Sequence, residues 1–297
     1  MQTAQPYANT VLRRQPVSEG KQFAVLGNPV EHSLSPVIHQ HFAAQFGYDI
    51  TYARQLLQRD TFEPFVRNFF AAGGVGLNVT LPFKLQANEC ARWHDVSAHQ
   101  AAAANTLAMT DQGIGAWNTD GAGLVNDLRH RHGFEPGGKK ILILGAGGAT
   151  QGILGPILAC RPASLALANR TLTKAQNLAR DAQHLHPQCH ISAFSLTELN
   201  ERSGDFDLVI NSTSLGLHDG RIMLPAEVVR NIFCYDLSYG ASARFARWAR
   251  DAGASSVADG LGMLVEQAAL SFAIWLGDKP QTQQVYQLLV ERTQHDG

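Results

Sequence analysis

Charge is scarce in this sequence. Of 297 residues, 24 are Lys or Arg and 25 are Asp or Glu, leaving a net charge of −1. The charged share of 16% falls below the roughly 25% of an average soluble chain. Without an excess of one sign there is no electrostatic footprint for nucleic acid or anionic lipid. With 45% apolar residues the chain is not a charge-extended disordered polymer either. Cysteine is scarce too: only Cys90, Cys160, Cys189 and Cys234 are present. No two form a C-x-x-C pair, which removes the zinc knuckle and the redox dithiol. Four thiols in this length are not a disulfide scaffold, so buried free thiols in a reducing, cytoplasmic setting are expected. The histidines show no H-E-x-x-H spacing, and no metal is expected. Residues 1–20 are polar and lack the apolar core of a signal peptide. Arg13-Arg14 has no hydrophobic run behind it, so a flexible tail is expected there.

One stretch has the length of a membrane span without a charge, residues 141–160, and contains a Gly148-x-x-x-Gly152 spacing. It also holds five glycines, Thr150, Gln151 and Pro156, and only Ile141 to Leu144 is continuously apolar. A short buried strand, a glycine turn and a helix account for it better. Elsewhere, short apolar runs alternate with helix-length segments. Strands are expected at 23–26, 50–53, 75–79, 141–144, 164–167, 208–210, 233–236 and 256–257. Helices are expected at 36–46, with Ser35 as N-cap and Pro36 first inside, and at 61–72, 148–158, 174–184 and 243–252. This β-α-β-α rhythm predicts a mainly parallel sheet covered on both faces. A domain seam falls near Asp120 to Gly123, and final helices at 261–276 and 283–292 return to the first domain. Three N-x-T triplets, at Asn78, Asn169 and Asn211, match the glycosylation pattern. With no secretory signal, they read as polar groups at strand ends.

The strand Ile141-Leu142-Ile143-Leu144 runs into Gly145, Ala146, Gly147, Gly148, Ala149 and Thr150. Glycines let a pyrophosphate approach the backbone, while free N–H groups and the helix dipole face the anion. The third glycine of the strict G-x-G-x-x-G is replaced by Thr150. After the next strand, where an NAD enzyme places an acid on the ribose 2′-hydroxyl, stand Asn169, Arg170, Thr171 and then Lys174. A guanidinium, an ammonium and a hydroxyl suit a 2′-phosphate. The cofactor expected is therefore NADP. The structural alternative is a helix capped by Thr171 with solvated bases.

Four further clusters precede the glycine turn: Ser33-Leu34-Ser35-Pro36, Asn78-Val79-Thr80-Leu81-Pro82-Phe83-Lys84, Ala104-Asn105-Thr106 and Asn118-Thr119-Asp120-Gly121. Each has an ordinary meaning by itself: a helix start, a surface lysine, a turn. In this order, and followed by Gly260-Leu261-Gly262-Met263 and Gln267, they resemble the shikimate dehydrogenase family over residues 23–277. The resemblance implies an α/β fold of two domains with a cleft between them. A substrate-binding domain with a mainly parallel sheet would comprise 21–120 plus 261–297, and a Rossmann-like NADP-binding domain 121–260. It implies reversible NADPH-dependent reduction of 3-dehydroshikimate to shikimate. Lys84 and Asp120 would be the catalytic pair. Ser33 and Ser35 would hold the substrate carboxylate, with Tyr239 nearby, and Asn78, Thr80, Asn105, Asp120 and Gln267 the ring hydroxyls. Gly145 to Thr150, Asn169, Arg170, Thr171, Lys174 and Leu237 would bind NADP, with Gly260 and Met263 flanking the nicotinamide.

Two serines at 33 and 35 go with shikimate rather than quinate. Burial would lower the Lys84 pKa and Asp120 would raise it, a balance the sequence leaves open. Glu266 is expected to point outward, one helical position from Gln267. The alternatives are a quinate/shikimate dehydrogenase using NAD, which should carry an acid at Asn169, and a non-catalytic NADP-binding regulator, which should lack Lys84 or Asp120. A serine hydrolase on Ser33 lacks the nucleophile-elbow pattern. The expected partner is a small-molecule substrate, without nucleic acid or membrane; a homodimer stays open.

Overall fold

The computed structural model describes residues 20–201, 206–213 and 224–295. The expected N-terminal tail lies outside them except for Gly20. The chain forms two compact units. One closes at Thr119 and includes Ala268–Val285; the other runs Asp120–Gln267 and resumes at Tyr286.

The first unit contains β1 (Lys21–Gly27), α1 (Ser35–Phe46), β2 (Ile50–Leu56), α2 (Phe62–Ala71), β3 (Gly76–Val79), α3 (Lys84–Cys90), β4 (Trp93–His94), α4 (Val96–Ala101), β5 (Thr106–Thr110) and β6 (Gly113–Trp117). Its sheet runs β2-β1-β3-β5-β6-β4. β1 pairs in parallel with β2 and β3, whereas β5 is antiparallel to both β3 and β6. A two-residue loop joins β5 to β6, which only an antiparallel pair allows. Ser35 is the first helical residue of α1 rather than its cap. Leu34 takes the cap position without a side-chain bond, and the Ser33 hydroxyl receives the Ser35 N–H at 3.3 Å.

The second unit contains α5 (Asp120–His130), β7 (Lys140–Leu144), α6 (Gly148–Ala159), β8 (Ser164–Asn169), α7 (Leu172–Leu185), β9 (His190–Ser195), β10 (Leu208–Asn211), β11 (Phe233–Asp236), α8 (Arg244–Asp251) and β12 (Ser256–Ala258). α9 (Leu261–Leu276) and α10 (Gln283–His295) follow. All its strand pairs are parallel, in the order β12-β11-β10-β7-β8-β9. Counted from β7, that is the 3-2-1-4-5-6 order of a dinucleotide fold, with the direction of winding reversing between β7 and β10. Ile141 and Ile143 enter one buried cluster with Ile153 and Ala175, and Leu142 and Leu144 enter another with Phe245 and Val228. A strand alternates its side chains, so this sheet is buried on both faces. α10 presents Tyr286 to Arg131 of this unit at 4.5 Å, whereas the sequence reading grouped it with the first.

The first unit's core is aromatic. Phe23, Tyr52 and Trp275 meet at its centre, and the His39 ring stacks on Tyr52 with centroids 4.6 Å apart. A Cβ on Gly76 would collide with the Trp275 indole. His39 is fully enclosed, and burial drives its pKa down to about 3 against the opposing hydrogen bond to Asn78. The ring is therefore neutral. Unfolded, it takes a proton near pH 6.5. Between those values the unfolded chain binds the extra proton, so stability falls as pH falls. At ~1.4 kcal/mol per pH unit, His39 should account for about 2–3 kcal/mol of stability lost between pH 7 and pH 4.5. Urea unfolding of His39→Gln at both pH values should show an acid-induced loss smaller than wild type by that amount; equal losses would refute the assignment.

Candidate active site and nucleotide site

Three Asn-x-Thr triplets stand at the carboxyl ends of β3, β8 and β10; Asn78 and Asn211 are buried, and Asn169 bonds locally to Thr171. In open α/β sheets ligands bind beyond those strand ends. Asn78, at the end of β3, uses its whole amide. Its Oδ1 accepts from the Tyr52 hydroxyl at 2.6 Å and faces His39 Nε2 at 3.1 Å. Its Nδ2 donates towards Ser271 Oγ (3.0 Å), the Asn105 carbonyl (3.1 Å) and Thr106 Oγ1 (3.3 Å). Because Oδ1 only accepts, the neutral His39 must carry its proton on Nε2.

The network continues. Asn105 Oδ1 accepts the Thr119 N–H at 2.9 Å, and Asn105 Nδ2 donates to Thr119 Oγ1 at 2.8 Å. Ser271 and Thr106 hydroxyls lie 2.7 Å apart. Asn78, Asn105, Thr106, Thr119 and Ser271 are all buried. Ser35 is buried and its hydroxyl bonds the Tyr52 phenol, while Ser33 Oγ donates to Ser35 Oγ at 3.2 Å. Lys84, half-buried, opens α3. Its carbonyl accepts the Ala104 N–H at 2.9 Å, and Asn105 O accepts the Val79 N–H at 2.8 Å. In the first unit Ser33, Ser35, Asn78 and Asn105 thus share one polar seam; Lys84 is tied to the segment before Asn105 by its carbonyl, and the Thr80 N–H bonds the Leu26 carbonyl at 2.9 Å. His39, Tyr52, Thr106, Thr119 and Ser271 belong to the same seam and were not singled out as site residues from sequence. Thr106 and Thr119 adjoin residues that were; the other three sit in apolar runs that read as core.

Asp120, Tyr239 and Gln267 are in the second unit. Asp120 is the first residue of α5 and directly follows Thr119. Gln267 is buried, donates to the Leu264 carbonyl at 2.8 Å, and packs against Gly123 so closely that a Cβ there would strike its backbone. Glu266 does not point outward: it is buried, and its Oε1 accepts from Arg131 at 2.7 Å. Its helix side faces an arginine that no local pattern announces.

The glycine turn is built for close approach. Gly145 has φ +115° and donates its N–H to the Ala168 carbonyl at 2.7 Å. A Cβ there would strike the Ser212 hydroxyl. Gly147 caps α6 in an extended conformation. It and Gly148 are exposed, and a Cβ on either would project into open space. The amides at the start of this twelve-residue helix are therefore approachable by an anion. Thr150, in the third-glycine position, is fully buried and pairs its hydroxyl with Ser212 at 2.7 Å. Ser212 in turn bonds the Leu144 carbonyl. At the end of β8, Asn169 Nδ2 donates to the Thr171 carbonyl at 2.9 Å, leaving Arg170, Thr171 and Lys174 exposed at the start of α7. Thr171 caps α7 by position but with no side-chain bond. This set fits a dinucleotide with a 2′-phosphate: open amides for the pyrophosphate, and two cations with a hydroxyl where an acid would otherwise stand. Leu237 and Gly260 are in backbone contact, since Gly260 donates to the Ser238 carbonyl at 2.9 Å and a Cβ on it would collide with Leu237 O. Among the described residues no His, Cys, Asp and Glu group forms a metal cage, and no helix is long and apolar enough to cross a membrane.

Family models match three stretches of the chain. They are the shikimate dehydrogenase substrate binding domain at residues 25–107, shikimate/quinate 5-dehydrogenase at 129–223, and the shikimate 5′-dehydrogenase C-terminal domain at 260–290. A shikimate dehydrogenase (NADP(+)) of Legionella pneumophila is 47% identical over 272 residues, covering 91% of this chain and 98% of that protein. Among solved structures, an Ael1 enzyme from Pseudomonas putida is 39% identical with a TM-score of 0.84, covering 91% and 98% of the two chains. The shikimate 5-dehydrogenase of Thermus thermophilus, in complex with NADP(H) and shikimate, is 29% identical with a TM-score of 0.80, covering 92% and 99%. With a buried amide network, a glycine turn beside basic residues, and this likeness along most of its length, the chain belongs to the shikimate dehydrogenase family.

Proposed function

We propose that this chain catalyses the reversible, NADPH-dependent reduction of 3-dehydroshikimate to shikimate. The observation that carries the reading is the seating of Lys84: its backbone is tied to the segment leading into Asn105, beside a polar seam whose hydroxyls and amides are already oriented. Such orientation before binding is what positions a small polyhydroxy acid at little entropic cost. Most of the proposed substrate-binding residues belong to the first unit, while Asp120, Tyr239, Gln267 and the NADP-binding residues belong to the second.

Gly145 to Thr150 would hold NADPH, with Arg170, Thr171 and Lys174 at its 2′-phosphate, and bound there it would supply the hydride for the ketone carbon. As that bond forms, negative charge builds on the carbonyl oxygen. The Lys84 ammonium donates a proton to it, giving the alcohol, and in reverse Lys84 takes the proton back. Asp120 orients the ammonium and bonds a ring hydroxyl. Ser33 and Ser35 hold the carboxylate with Tyr239 nearby; Thr80, Asn105 and Gln267 bond ring hydroxyls. Asn78 enters through the seam, its amide aligning the residues that touch substrate. Leu237, Gly260 and Met263 line the nicotinamide half of the cofactor site. A cytoplasmic location agrees with four free cysteines, three of them buried.

Lys84→Ala should lower kcat by about 10²–10⁴-fold, the usual range for a general acid–base group, with fluorescence-monitored NADPH binding unchanged. Near-normal kcat would remove Lys84 from the proton transfer. A two-by-two assay of shikimate or quinate with NADP+ or NAD+ should favour shikimate with NADP+. In the same assay Arg170→Ala should raise the KM for NADP+ about 10–100-fold, the scale of lost hydrogen bonds to a charged group, and leave that for NAD+ within twofold. Equal effects on both cofactors would place Arg170 away from the 2′-phosphate.

A further inference from the structure

The second unit buries an ionic cluster that the proposed reaction does not use. Asp127, on α5, has no exposed surface. Its Oδ1 accepts from Arg131 Nη1 at 2.9 Å, and its Oδ2 accepts from the Tyr235 hydroxyl at 2.7 Å and lies 3.4 Å from His132 Nε2. Arg131 Nη1 also bonds Glu266 at 2.7 Å. The Nε and Nη2 atoms of Arg131 are buried without hydrogen-bond partners, and the Tyr286 ring lies 4.5 Å from the guanidinium carbon. A cation over an aromatic face recovers part of what the missing partners forgo.

Asp127 and Tyr235 have a fixed division of protons. Burial opposes charge on Asp127, yet the hydrogen bonds from His132, Tyr235 and Arg131 outweigh it and hold the carboxyl below its ordinary range. Burial first, and the Asp127 charge second, push the Tyr235 phenol well above its own. The phenol therefore keeps its proton and gives it to Asp127. Its oxygen is left as an acceptor, and the Met263 N–H points at it from 3.3 Å. Met263 lies in the first turn of α9, where backbone N–H groups have no partner within the helix. The adjacent Gly262 is held just as tightly: a Cβ there would collide with the Asp127 carboxylate. Leu261 N–H bonds Asp259 Oδ1 at 3.1 Å. The first turn of α9 is thus pinned from below by Tyr235 and Asp127 and from the side by Asp259.

We propose that Tyr235, aimed by Asp127, is a positioning residue that holds the Met263 amide and so sets the wall formed by Gly260 and Met263 against the nicotinamide half of the cofactor. This rests on the reading that Gly260 and Met263 flank the nicotinamide. The predicted signature is selective: the adenosine half of the cofactor, bound at the glycine turn and Arg170, should not sense the change.

The experiment is isothermal titration of Tyr235→Phe with NADP+ and, separately, with 2′,5′-ADP, which lacks the nicotinamide. NADP+ binding should weaken about 3- to 10-fold, the scale of one neutral hydrogen bond, while 2′,5′-ADP binding stays within twofold of wild type. Equal weakening of both ligands, or of neither, overturns the proposal, because general damage to the unit would not separate them. Asp127→Asn retains an acceptor for the phenol and provides a second variant should Tyr235→Phe fail to fold. It should show the same selective loss at smaller size, and a non-selective loss or none overturns the proposal equally. Met263→Ala separates the two layers of the argument. If it leaves NADP+ binding untouched, the nicotinamide-wall reading itself falls. If it weakens NADP+ and Tyr235→Phe does not, only the role of Tyr235 falls.

Discussion

A single buried amide organises the first unit. Asn78 has two acceptors' and two donors' worth of bonding capacity, and α1, β2, the segment before β5, and α9 between them satisfy it. An amide in this position cannot be idle: leaving either end unsatisfied in a buried site costs about 1–3 kcal/mol. That cost forces a neutral His39, a Tyr52 phenol pointing inward, and Ser271 brought across from a distant part of the chain. The hydroxyls and amides proposed to meet a substrate inherit their orientation from this arrangement. The site's polarity is therefore prepared by folding rather than by binding.

The second unit achieves the same end by backbone rather than side chain. Gly145 needs its positive φ, and at Gly145, Gly260 and Gly262 a side chain would displace a neighbour. Close backbone approach leaves the amides of α6 open at one place, and closes those of α9 onto Tyr235 and Asp259 at another. Two helix starts in one unit thus have opposite fates. One leaves its N–H groups approachable by an anion; the other bonds them to Asp259 and Tyr235.

Strand ends are where these devices collect. The three Asn-x-Thr triplets resemble glycosylation sequences but terminate parallel strands. At Asn169 and Asn211 the amide bends back to the residue two positions on. This local ring ends the strand and releases the following residues from the sheet. In β8 those residues are Arg170 and Thr171. In β10 they are Ser212 and Thr213, which brace the glycine turn from behind.

Local pattern was enough for much of this. Alternating apolar runs, the breaker glycines and the strand-turn-helix at Gly145 announced the parallel nucleotide-type sheet, because those signals arise within a few residues of chain. Motif order placed Lys84, Asn105, Asp120 and the basic residues after β8 among the functional candidates. Partner choice was another matter. The burial of Glu266 against Arg131, the neutrality of His39 and the Tyr235–Met263 bond depend on residues 28 to 135 positions apart. A hydrogen-bonding side chain states its need in the sequence, but who meets that need is decided only when folding brings the segments together and excludes water from between them.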